Sequence, residues 1–139
     1  MIKVIIGPKG SGKTSRLVND LNAHAERDSD NVICIERKAR LDRLIHYRVR
    51  LVDISEYPSH GFRELLSFIS GLCAKDYDIT HIYIDSIYKV AGESDPEALD
   101  NFLQELDQFT QAHDLTVTIL LSATENDISD TVSQYAIMV

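Results

Sequence analysis

Gly7-Pro8-Lys9-Gly10-Ser11-Gly12-Lys13-Thr14 follows directly on the apolar run Val4-Ile5-Ile6. The eight residues fit the spacing G-x-x-x-x-G-K-[ST], and the flanks decide how that spacing reads. Met1–Ile6 has the composition of a buried strand, and Lys13–Asn22, with Arg16, Leu17 and Leu21, reads as a helix. A chain that leaves a buried strand, curls through glycines and enters a helix aims backbone N–H groups and a positive helix end at one place. Anions are held there. Gly7, Gly10 and Gly12 let the backbone curl without Cβ clashes.

Each residue type then has a physical task. Lys13 places a point positive charge between the β- and γ-phosphates of a nucleotide, and Thr14 offers a hydroxyl to Mg2+. Pro8, Lys9, Ser11 and Ser15 complete the stretch expected to contact the nucleotide, so residues 7–15 are the candidate ATP site. As a loop lysine, Lys13 is expected to be exposed.

The rest of the composition limits the setting. The 139 residues suit one domain, 1–139, with a single core. Apolar content of 44% and charged content of 26% are ordinary for a water-soluble globule. No run reaches the roughly 20 apolar residues of a membrane span, and the first residues do not read as an export signal. Cys34 and Cys73 both sit in apolar contexts and are expected to be reduced, in a cytoplasmic protein. His24, His46, His60, His81 and His113 share no ligand spacing, and no structural metal is expected from them. Net charge is −8 but unevenly placed. No Lys or Arg follows Lys89, whereas Arg37, Lys38, Arg40, Arg43, Arg48 and Arg50 fall close together. An acidic chain argues against coating nucleic acid; the one basic stretch could still meet a phosphate backbone or an acidic partner.

Strand-like runs recur at Ile2–Ile6, Val32–Glu36, His81–Asp85, Leu115–Ser122 and Tyr135–Val139, with a weaker candidate at Val49–Ile54. Helical spacing falls between them. Leu41, Leu44, Ile45 and Arg48 predict a short helix with a basic outer face. Phe62, Leu65, Leu66, Ile69 and Leu72 predict another, ending near Gly71. Ala98, Leu99, Phe102, Leu103, Leu106 and Phe109 predict the clearest, with Ser94 or Asp95 as cap, Pro96 in the first turn and Glu97 at the positive end. Ala25–Asn31 and Ala91–Asp95 read as polar loops. Alternating strands and helices imply a parallel sheet covered on both faces. The near-continuous apolar runs Ile82–Ile84 and Val117–Leu121 suit its centre, and a ligand is expected at the carboxyl edge.

Two carboxylates fall at strand ends. Asp85 closes His81-Ile82-Tyr83-Ile84, where it could reach Mg2+ or its water; the plainer reading is a cap for the next helix. Glu36 closes Val32-Ile33-Cys34-Ile35. If its strand lies beside that of Asp85, Glu36 emerges at the same edge as Lys13 and could orient an attacking water. The plainer reading is a surface ion pair with Arg37, Lys38 or Arg40.

With these elements the chain resembles the RecA-like P-loop ATPase core, the family of RecA, the KaiC-type clock ATPases and the DnaB-type helicases. The likeness rests on the Walker A loop Gly7–Thr14, on Glu36 where that family keeps its catalytic carboxylate, and on Ile84-Asp85-Ser86-Ile87. Thr124 and Asn126 fall where the family has a γ-phosphate-sensing polar residue. The resemblance spans the chain. It implies a three-layer α/β fold, with a mostly parallel sheet of about five strands in the order 5-1-4-3-2 and helices on both faces. It also implies ATP and Mg2+ as ligands, ATP hydrolysis with Lys13 and Glu36 as catalytic residues, and a homo-oligomer or protein partner supplying an arginine finger. The chain departs from the family in having nothing basic after Lys89, so a finger would come from the 37–50 stretch, Lys89 or another protein.

Two other classes compete. A nucleoside or nucleotide kinase shares the loop, and thymidine kinases have a related core. Those enzymes put a glutamate after the strand aspartate, where this chain has Ser86, and they carry zinc-binding cysteines absent here. A non-hydrolysing ATP-sensing module would instead pass its state to a partner through residues 86–95 or the basic stretch. A GTPase is disfavoured, because Tyr88 stands where the glycine after Asp85 should be and no guanine-reading motif is present.

Overall fold

A computed structural model describes residues 1–38 and 40–138. Along the chain run β1 (Ile2–Gly7), α1 (Lys13–Ala25), β2 (Val32–Glu36), β3 (Arg50–Asp53), α2 (Phe62–Lys75) and β4 (His81–Ile84). They are followed by α3 (Ile87–Ala91), α4 (Pro96–His113), β5 (Thr116–Ser122), α5 (Asp130–Ser133) and β6 (Ala136–Met138). The strands form one 6-stranded sheet in the order β3-β2-β4-β5-β1-β6, and every neighbouring pair is parallel.

Side-chain alternation along the strands builds two cores. Val4, Ile6, Ile33, Ile35, Ile82, Ile84, Val117 and Ile119 face one side, with Leu65 and Ile69 of α2 and Leu99, Phe102, Leu103 and Leu106 of α4. Their alternates Ile5, Val32, Cys34, Tyr83 and Leu120 face the other, against Leu17, Val18 and Leu21 of α1 together with Leu41 and Val49. Central strands buried on both faces therefore read as unbroken apolar runs. The second face carries α1 as its single helix, and it is also the more polar: Tyr83 Oη donates to Asp20 at 2.6 Å.

Several boundaries differ from the sequence reading. The weak candidate at Val49–Ile54 is a true edge strand, β3, which makes six strands rather than about five. Residues 41–48 form turns, not a helix. Leu41 is buried but Leu44 is 56% exposed, so the apolar stripe has nothing to pack on. Side chains take over the backbone instead: Asn22 donates to Leu44 O and accepts from His46 N–H, and Asp42 accepts from Arg43 N–H. Such local bonds compete with a helix too short to nucleate by itself. Helix α2 runs through Gly71 to Lys75, because Gly71 is on the exposed side and its cost of ~1 kcal/mol is outweighed by the packed face. Helix α4 begins where expected: Asp95 accepts from Glu97 N–H and Pro96 opens the first turn. The short helices α3 and α5 had no periodic signal. The expected last strand Tyr135–Val139 appears as β6, and its final residue, Val139, lies outside the described residues.

Candidate functional site

The loop after β1 is shaped by close approach and by left-handed backbone. A Cβ on Gly7 would collide with Ser11 Oγ, and Gly10 and Gly12 hold φ of 79° and 88°. Ser11 N–H closes the turn on Pro8 O at 3.2 Å. Gly12 is the N-cap of α1, so no side chain caps that helix, and no acidic residue occupies its first turn. The opposite holds at α4, where Asp95 and Glu97 crowd the positive end. The uncapped N–H groups and the dipole of α1 are left for an external anion.

Lys13 is not an exposed loop lysine. It is 8% exposed, and its ammonium donates to Pro8 O at 3.0 Å. No carboxylate pairs with it among the described residues. A buried ammonium held by one carbonyl is short of negative charge.

Across the opening stands Asp85, 4% exposed. Its N–H continues the ladder to Ile35 O at 3.1 Å beyond the end of β4. It does not cap the next helix: Ser86 is the N-cap of α3 and the cap accepts no side-chain bond. Ser86 itself takes a left-handed conformation, φ 57° and ψ 75°, which is costly for a non-glycine residue. That kink turns Asp85 and Ser86 into a cavity of about 470 Å3, also lined by Lys9, Gly10, Lys13 and Thr14. Ser122 lies on its floor, opposite Gly7 in the β1–β5 register. The cavity therefore lies at the carboxyl edge of the sheet.

Not every residue of the 7–15 stretch reaches it. Gly7 and Ser11 are structural to the loop, and Pro8 contributes its carbonyl to Lys13. Gly12 and Ser15 border a second groove, with Arg16, Asn19 and Asp20.

Glu36 is 1% exposed and has no ion-pair partner among the described residues, so the surface-pair reading does not hold. Strand β2 pairs with β4, Ile35 opposite Ile84, which puts Glu36 next to Asp85. Its Oε1 accepts from Arg40 N–H at 2.9 Å, while Oε2 has no hydrogen-bond partner among the described residues. Burial, opposed by the backbone bonds from Arg40 and Leu41 and aided by Asp85 and Asp53, holds its carboxyl above the usual glutamate range. Glu36 does not line the cavity; Arg40 does. Asp53, the next carboxylate along the edge, is spent on Lys38 N–H and Ser55.

The basic stretch divides. Arg37 donates to Lys89 O and Val90 O near the end of α3. Arg48 pairs with Asp28 and Arg50 with Asp76. Arg40 is the arginine of this stretch at the cavity, joined by Tyr88 and Lys89 of α3. Thr124 donates instead to Asp127 at 2.6 Å, and neither it nor Asn126 lines the cavity. Ser122, at the end of β5, does line it.

Sequence spacing also misses a cluster at the other sheet edge, where His24, Asp30 and His81 converge. Their separation along the chain hides it. No family model matches the chain, and no curated protein matches it.

Proposed function

We propose that the chain binds Mg2+-ATP in the cavity between the 7–14 loop and Asp85 and works as a RecA-like P-loop ATPase. The observation that carries this reading is the pairing of an uncapped helix end and a buried, unpaired ammonium with a carboxylate on the far side of one cavity. Polyphosphate meets the first two, and a hard cation held by oxygen suits the third. Thr14 lines the same cavity, and among the described residues the Asp85 carboxylate has one hydrogen bond, from Ser86 Oγ at 3.4 Å, so both have capacity left for a metal or its waters. Bound Mg2+ would offset phosphate charge.

The strand order supports the reading as well. Leaving out edge strand β3, the neighbours run β6-β1-β5-β4-β2, the 5-1-4-3-2 arrangement of the resembling family. In that scheme Lys13 binds the terminal phosphates, and Glu36 orients water through Oε2, the oxygen not engaged by backbone. Arg40 and Lys89 are further cations in the lining of the same cavity.

A second reading, ATP sensing without turnover, is favoured by one observation: Glu36 is held by the backbone and lies outside the cavity wall. ATP binding is common to both readings and does not separate them. Calorimetric titration with ATP and Mg2+ should give one site per chain. Lys13→Ala should weaken it by roughly ten- to a hundredfold, the worth of a charged hydrogen bond of ~1.5–3 kcal/mol. Unchanged affinity in a folded Lys13→Ala protein would falsify the assignment. Steady-state release of phosphate, present or absent, then decides between ATPase and sensor.

A further inference from the structure

Three elements meet at the amino edge of the sheet, opposite the cavity. His24 lies in the last turn of α1, Asp30 in the loop before β2 and His81 at the first residue of β4. The two imidazole rings stack with centroids 3.9 Å apart and planes 28° from parallel. His24 Nδ1 meets Asp30 Oδ2 at 2.8 Å, and His81 Nδ1 lies 4.0 Å from Asp30 Oδ1. All three side chains are mostly buried, between 14% and 19% exposed.

We propose that His24, Asp30 and His81 form a binding site for a divalent transition metal of the zinc class. One nitrogen from each ring and one Asp30 oxygen lie within 4.8 Å of one another. Donors on a tetrahedral zinc stand about 3.4 Å apart when the bonds are ~2.1 Å, against the 4.0 Å between His81 Nδ1 and Asp30 Oδ1. Two imidazoles and one carboxylate are a zinc-type donor set, and water completes the fourth position.

The surroundings hold the donors in place. Thr80 Oγ1 meets His81 Nδ1 at 2.9 Å, accepts from Asn31 N–H and donates to Asn31 O. Thr80 and His81 N–H groups both donate to Asn31 O. The loop is thereby tied to the start of β4, with Asp30 beside it. Arg27 is the competing cation, but its guanidinium is 3.9 Å from Asp30 and 64% exposed, free to turn to solvent. Occupancy would join the far ends of α1 and β4, the two elements that carry Lys13 and lead to Asp85.

The test uses chelator-treated full chain without a polyhistidine tag. Zn2+ titration should give one site per chain, Co2+ should show the visible bands of a tetrahedral complex, and excess Mg2+ should not compete. Zn2+ should raise the melting temperature. His24→Ala and His81→Ala should each lower affinity by at least ~100-fold, more than the loss of an outer contact. Lys13→Ala and Cys73→Ser should bind as the parent does. Should His81→Ala fail to fold, His24→Gln, at the end of a helix, provides the same measurement, with circular dichroism confirming its fold. Absence of saturable Zn2+ binding, survival of binding in His24→Ala or His24→Gln, or its loss in Cys73→Ser would each overturn the proposal.

Discussion

Glu36 concentrates the conflict between folding and function in one side chain. Its carboxylate is buried, one oxygen is unpartnered among the described residues, and two other carboxylates face it. A carboxyl whose pKa is raised by folding costs stability when ionised. The cost is complete above its folded pKa and fades as pH falls through that value toward the unfolded one. Glu36→Gln should therefore be more stable than the parent at neutral pH, within the ~0.5–2 kcal/mol range of single stabilising substitutions. The gain should vanish below pH ~4, where the unfolded glutamate is itself protonated. Thermal unfolding across pH checks the sign; a neutral-pH loss of stability would count against it. If the parent hydrolyses ATP, the same variant should bind ATP and turn it over poorly, and equal turnover would remove Glu36 from the chemistry. The cysteines contrast in access: Cys34 is fully buried in β2 and its thiol is pushed up by burial, while Cys73 is partly exposed on α2. A maleimide should modify Cys73 first in the native protein and reach Cys34 only on unfolding.

Helix starts illustrate what an element owes to its first turn. Helix α4 is capped by its own Asp95, so Asp95→Ala should cost ~1 kcal/mol in melting experiments and leave ATP affinity unchanged. Helix α1 has glycine in that place, at φ 88° with nothing within 4 Å of a Cβ. Gly12→Ala meets no atom yet forces a left-handed alanine, costing ~1–2 kcal/mol, and it should weaken ATP binding, which Asp95→Ala does not. Calorimetry on the two variants separates a structural start from a binding one. The β1–loop–α1 unit was legible in the sequence because every signal in it is local: an apolar run, glycines at fixed spacing, a helical repeat. Asp95 and Pro96 were legible for the same reason. The helix expected at 41–48 was misread because four apolar-spaced residues say nothing about whether a surface exists to receive them. Asn22, two elements away, decides that segment instead. Arg40 and Lys89 were legible only as candidate cations, while Ser122 at the cavity and the His24–Asp30–His81 cluster went unread, since strand order alone brings them together.

At the scale of the molecule, the charge distribution would not suit efficient turnover by one chain alone if the chain is the proposed ATPase. The cavity has cations at its rim, Lys9, Arg40 and Lys89, but residues 90–139 contain no Lys or Arg. Arg48 and Arg50 are held in internal pairs, and Arg37 serves the end of α3. These pairs are exposed and worth little individually, yet with Arg37 bonded to carbonyls they leave Arg40 and Arg43 as the arginines of the stretch whose guanidinium groups have no hydrogen bond or ion pair among the described residues. Arg40 is attached by its own N–H to the Glu36 carboxylate, so a partner that engages residues 37–43 would act on the candidate base and the candidate finger together. An arginine finger contributes ~10³–10⁵-fold in phosphoryl transfer. Hydrolysis by the isolated chain should accordingly be slow and should rise on self-association or binding of a partner. Arg40→Ala should depress the stimulated rate much more than ATP affinity, because the charge is needed as the terminal phosphate departs. Specific activity measured against protein concentration, at low and high salt and alongside solution mass, checks this. Brisk turnover that stays constant on dilution while the protein remains a monomer would show that the chain needs no second molecule to complete its site.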